Sequence, residues 1–222
     1  MKISVEKKHE KRIEAVVEGM DSSFANVIRR YTISHVPVLA INTVSFYNNS
    51  SSLWDEYISH RLGLLPIVTP ANLPENVEIM FSLNEEGPKV IKSGDLKSND
   101  SEIKVAKDNI TIVTLGPGQP IKLEGKAVLG TGLTHAKFQS GLASFGVDGS
   151  QVRFKFECFF NMSPSELVIR ACDILESDIE DLLAQLTGKE RIKKAVEKKE
   201  KVVKAKKATK KKAKAEKSEE KE

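Results

Sequence analysis

The chain has 222 residues, 40% of them hydrophobic and 30% charged, which suffices for one substantial core or two small ones and excludes a fibre or a wholly disordered protein. No apolar run approaches the roughly 20 residues that a membrane helix needs, and Met1-Lys2-Ile3-Ser4-Val5-Glu6 becomes charged before a secretory core forms, so a cytoplasmic chain is expected. The net charge of +4 is uneven: residues 189–222 hold 15 Lys and 1 Arg against 7 Glu, a net +9, which leaves −5 on residues 1–188. An acidic body argues against a globular nucleic-acid-binding face, because phosphate-tracking surfaces show as a basic excess on the folded domain.

Ile3 and Val5, then Ile13, Ala15 and Val17, alternate on either side of the charged stretch Lys7–Lys11, the pattern of a hairpin with one buried face. Asp21 or Ser22 offers an N-cap to a helix in which Phe24, Val27, Ile28 and Tyr31 fall on one face before Pro37 ends the run. Arg29 and Arg30 lie away from the centre of that face. A second helix is expected around Leu53–Leu64, with Asp55 and Glu56 in its first turn and His60 and Arg61 in its last, as the helix dipole favours. From about Pro66 to Gly149 most of the Gly and Pro accompany short β-prone runs at 77–83, 110–115 and 121–129, which predicts a separate sheet-rich module.

Gln151–Phe160 then alternates Val152, Phe154, Phe156, Cys158 and Phe160 with charged residues, a strand with one apolar face. Ser163-Pro164-Ser165-Glu166 supplies a cap, a helix-compatible proline and an acid three residues after the cap, and Gly188 stands where a helix from Pro164 to Thr187 ends. Within it Val168, Cys172, Leu175, Ile179, Leu182 and Leu186 recur at alternating steps of four and three. This stripe carries more apolar surface than a small sheet needs, so a partner helix is its natural cover, with Val168 expected to face the chain's own sheet. Beyond Gly188 the composition is that of a solvated tail. The pattern as a whole predicts an α+β fold in which one discontinuous domain, 1–38 and 150–188, is interrupted by an insert, 39–149, and followed by a Lys-rich tail, 189–222.

No constellation of catalytic residues emerges. Cys158 and Cys172 exclude a disulfide framework and a four-cysteine metal site, the histidines lack ligand spacing, and the glycines fit neither a dinucleotide nor a phosphate loop. Asp55 and Glu56 are adjacent, so on a helix they diverge by about 100 degrees and form no carboxylate pair. His35 and His60 read as structural or capping residues. One cluster, Gly130 to Phe138, places His135, Lys137 and Phe138 after a flexible entry and suits a docking surface.

Phe24-Ala25-Asn26-Val27-Ile28-Arg29-Arg30 followed by Val36-Pro37, together with Asp55 to Leu64, resemble the two signature helices of RNA polymerase D subunits, the archaeal relatives of bacterial alpha. Gly116-Pro117-Gly118-Gln119, the Gly130–Phe138 cluster and the strand-then-helix ending are similar to the same family, so the resemblance spans about residues 1–188. It implies a discontinuous alpha-like dimerisation domain around an insert domain, and a non-catalytic assembly subunit within a DNA-directed RNA polymerase. It further implies a heterodimer with the alpha-like subunit L, on which subunit N and the second-largest subunit assemble, with DNA met only through the complex. The partner interface expected on this basis comprises Arg29 and Arg30, which face the large subunit in the family, then Leu175, Ile179, Leu182 and Leu186 on the helical stripe, and His135, Lys137 and Phe138. Many D subunits add a cysteine-rich module holding an iron–sulfur cluster; with only Cys158 and Cys172 present, no cluster or other cofactor is expected here.

Two rival readings remain at this level. A free-standing nucleic-acid-binding protein would act through the basic tail, with steep salt dependence; a nucleotide-using enzyme has no residues to name. Deleting Lys189–Glu222 distinguishes the first: an assembly subunit still enters its complex, whereas a tail-driven binder loses its function.

Overall fold

The structure is a computed structural model and describes residues 1–187 apart from Glu75, so the expected stop at Gly188 and the tail 189–222 lie outside the described residues. Residues 1–175 form one compact unit, and residues 176–187 belong to a second.

The fold is α+β, with antiparallel sheets. The alternation read in the opening segment produces β1 (Lys2–Lys8) and β2 (Arg12–Glu18), paired with Ile3 opposite Val17 and Val5 opposite Ala15. The other edge of β2 takes β10 (Gln151–Cys158), so that Val152, Phe154 and Phe156 lie opposite Val17, Ala15 and Ile13. Strand β9 (Gly141–Asp148) pairs along all of β10, completing the order β1-β2-β10-β9. Ile13, Val17, Val152, Phe154 and Phe156 pack with Ala25 from helix α1 (Ser22–Ser34) as one core, with Val168 of helix α3 (Pro164–Thr187) against it. Each such side chain contributes about 1.5–3 kcal/mol when fully buried.

Two details differ from the expected pattern. Strand β1 is the outer strand of its sheet, and Ile3 remains 63% exposed, so the hairpin's buried face is supplied by β2 alone. On α1 the buried residues are Ala25 and Thr32, flanked by half-buried Ile28; this face is turned about 100 degrees from Phe24, so Phe24 and Val27 are exposed. The cap is Asp21, whose carboxylate accepts from the Ser23 N–H at 2.8 Å, and the Ser23 hydroxyl, with this bond second to it, holds its pKa below the ordinary value.

The second sheet, β3-β8-β4-β6, joins β3 (Val38–Asn49), β8 (Pro120–Gly130), β4 (Glu78–Glu86) and β6 (Lys97–Ser98), with a separate pair of β5 (Lys89–Lys92) and β7 (Thr111–Leu115). Helix α2 (Asp55–Gly63) sends Ile58 and Leu62 into the core of this region, and its Arg61 donates to the Ile112 carbonyl at 2.6 Å. Arg61 is therefore a tertiary tie as well as a charge placed favourably at a helix end. Strand β9 lies within the span 39–149 expected for the insert and makes its backbone bonds to β10 of the first sheet.

Gly141 opens β9 where a Cβ would lie 2.2 Å from the Glu157 carbonyl oxygen and 2.9 Å from Leu167, while a Cβ at Gly146 meets nothing within 4 Å. Gly141→Ala is expected to destabilise the domain by on the order of 2 kcal/mol or more, and Gly146→Ala to leave it within about 0.5 kcal/mol, as read from urea midpoints.

Candidate partner interface

Helix α3 begins where the Ser163 Oγ accepts from the Glu166 N–H at 3.2 Å. Its first half belongs to the compact unit: Leu167 and Ala171 are buried, and Arg170 pairs with Glu166 while donating to the Thr69 carbonyl at 3.0 Å. Leu175, expected at the partner interface, is also buried within this chain. The stripe then changes character. Ile179, Leu182 and Leu186 are exposed, Leu182 at 56% and Leu186 at 75%, and Leu183 is exposed beside them. Sequence spacing missed Leu183 because it lies off the four-and-three repeat.

On α1, Arg30 is exposed, and Arg29 donates to the Asn26 Oδ1 at 2.9 and 3.1 Å, which keeps its guanidinium along the helix surface. Beside them Phe24 and Val27 add exposed apolar area that the sequence assigned to the core. The turn of the pattern by one residue, from Phe24 to Ala25, is the signal: small Ala25 and Thr32 permit close approach to the sheet, and the larger residues face outward.

The Gly130–Phe138 cluster divides between surface and core. Phe138, expected as a docking residue, is 6% exposed and packs with Val36, Val38, Ala40, Leu167 and Ala171. Gly130 makes room for it, since a Cβ there would come within 2.8 Å of its ring. The Lys137 Nζ donates to the Asn42 Oδ1 at 2.6 Å, and burial pushes its pKa down. The His135 Nδ1 accepts from the Lys137 N–H at 3.1 Å, and its side chain is exposed together with Leu133. A bond from the Ser140 hydroxyl to the Thr32 carbonyl, 2.8 Å long, fastens the following residues to α1.

Cys158 is buried, and burial raises its thiol pKa, the reverse of what nucleophilic activation requires; Cys172 lies exposed on α3. Among the described residues no group of three or more His, Cys, Asp or Glu side chains gathers as metal ligands, and no helix is long and apolar enough to cross a membrane.

What this geometry shows is exposed apolar side chains on α1 and on the last turns of α3, carried by an α+β frame. Residues 40–150 match the family described as the RNA polymerase Rpb3/RpoA insert domain. The DNA-directed RNA polymerase subunit Rpo3 of Methanocaldococcus jannaschii is 46% identical over 165 residues, covering 74% of this chain and 85% of that subunit. The Rpo3 subunits of Pyrococcus furiosus and Halobacterium salinarum are 39% and 44% identical, over 65% and 58% of this chain. The chain spans little more than half of those two relatives, 58% and 52%. Fold and matches together define a subunit of a multi-subunit RNA polymerase. The chain belongs to the family of the archaeal DNA-directed RNA polymerase subunit Rpo3, the D subunits.

Because Phe138 is core and Leu133 is surface, Phe138→Ala is expected to cost about 3–5 kcal/mol and Leu133→Ala less than about 0.5 kcal/mol in denaturant unfolding.

Proposed function

We propose that this chain is a non-catalytic assembly subunit of the polymerase, pairing with the alpha-like subunit L and forming the platform for subunit N and the second-largest subunit. The observation that carries this reading is the row of exposed Ile179, Leu182, Leu183 and Leu186 on the last turns of α3, an apolar surface of the kind that soluble proteins cover with a partner. Phe24 and Val27 on α1 are a separate exposed apolar pair within the 1–175 unit. In this reading Arg29 and Arg30 serve recruitment of the large subunit, His135 and Lys137 belong to a docking face, and DNA is met only through the complex. The cytoplasm is its place of action. The chain holds no iron–sulfur cluster, having only Cys158 and Cys172 to offer, and carries out no nucleotide addition alone.

Leu182→Asp tests the interface, because a carboxylate in a dry helical contact loses its hydration without a compensating charge. The variant is expected to lose co-purification of the L-type partner while its circular dichroism matches the parent. Val168→Asp, on the half-buried face, is expected to unfold the domain instead. Retention of the partner by Leu182→Asp, with loss of only the partner by Val168→Asp, places the interface at the other end of the helix. Arg29→Ala with Arg30→Ala is expected to leave folding and L pairing intact and to weaken capture of the second-largest subunit; equal loss of both interactions makes the arginines structural.

A further inference from the structure

Within the 1–175 unit a cleft of about 420 Å³ opens between the start of β3 and the end of β10. Val38, Leu39 and Leu65 give it an apolar wall, and Lys11, Lys107 and Lys137 line it as cations. A second hollow of about 260 Å³ shares Leu64 and Lys137 with it and adds His60 and His135. Among the described residues the only acid lining the larger cleft is Glu157, and the Lys11 ammonium occupies it at 2.9 Å. Lys107 lies 4.0 Å over the Phe160 ring and Lys137 donates to the neutral Asn42, so neither has a carboxylate partner among the described residues.

Three further features belong to the same space. Asn161, 4% exposed, lines the cleft, while its side-chain Oδ1 is closed off from solvent and accepts no hydrogen bond. The preceding Phe160 holds a φ of 67°, a left-handed conformation that a bulky residue adopts only where its surroundings impose it. Leu64 and Phe159 are exposed apolar side chains lining the same space.

We propose that this cleft docks an extended segment of another polymerase subunit in which an apolar side chain is flanked by carboxylates. The apolar side chain fills the space against Leu39 and Leu65, and the carboxylates meet Lys107 and Lys137. Charge complementarity selects this occupant. Nucleic acid offers the anions but no apolar side chain for the wall, and it would set phosphates beside Glu157. The chain's own Lys-rich tail repeats the charge of the cleft. The proposal rests on the assembly-subunit reading and adds a contact cleft within the 1–175 unit.

Zero-length carbodiimide coupling joins a lysine amine only to a carboxylate in direct contact, so it reads this site in the native, assembled polymerase without a substitute ligand. Mass spectrometry of the coupled complex is expected to find Lys107 or Lys137 joined to an Asp or Glu of a different subunit, with a large apolar residue within two positions of it. Lys107→Glu, a half-exposed position, is expected to lower that product by about tenfold, since like charges now face each other. Coupling of these lysines only within the chain, or between isotopically distinct copies of it, overturns the proposal. So does protection of both lysines from acetylation by DNA but not by the other subunits. If the L-type partner still co-purifies while the cross-link is absent, the cleft proposal alone has failed; if no polymerase subunit co-purifies, the assembly reading has failed with it.

Discussion

Everything else in this molecule depends on the pairing of β2 with β10. Their register, Arg12 opposite Glu157 through Glu18 opposite Gln151, brings together segments separated by more than a hundred residues of sequence and closes a discontinuous domain. Such long-range closure is entropically costly before it is rewarded, so the reward must be large. It comes from Phe154 and Phe156 stacking 5.2 Å apart and packing against Ile13 and Val17, with Ala25 of α1 admitted close to the sheet. Once β10 is fixed, Met162 and the first turns of α3 are fixed with it, and Leu167 and Ala171 enter a core shared with Val36 and Val38.

Strand β3 links that shared core to the core of the insert. Val38 and Ala40 face one cluster while Leu39 and Ile41 face the other, so four consecutive residues are buried. This arrangement explains why β3 was invisible to pattern reading: a strand buried on both faces shows no alternation, and the residues after it alternate only weakly. Strand β9 was missed for a different reason. Gly141 and Gly146 weaken the strand pattern of the segment, yet Gly141 is needed for the close approach of the Glu157 carbonyl, and pairing with β10 makes the segment a strand.

Elements whose signals are local were legible. The Ser163–Glu166 cap, the helix from Pro164 to Thr187, the alternation of β10 and the charge pattern of α2 all follow from spacing and capping chemistry. What was not legible is which side of an amphipathic segment meets the chain's own sheet. Phe24 and Phe138 illustrate this in opposite directions: bulk suggested core for the first and docking for the second, and the packing around Ala25 and Gly130 reverses both. Side-chain size at one position is decided by the small residue beside it, which periodicity alone does not weigh.

The apolar surface is thus partitioned along one helix, with Leu167, Ala171 and Leu175 spent on the subunit's own fold and Ile179, Leu182, Leu183 and Leu186 left outward. In the proposed assembly role, the remaining stripe is the surface left for a partner to cover. Hydrogen exchange of the amides of residues 176–187, compared between the isolated chain and the purified polymerase, tests that account most directly. It predicts marked slowing in the assembled enzyme at Ile179 to Leu186, with little change at Leu167 to Leu175. Equal exchange at Ile179 to Leu186 in the two states would contradict it.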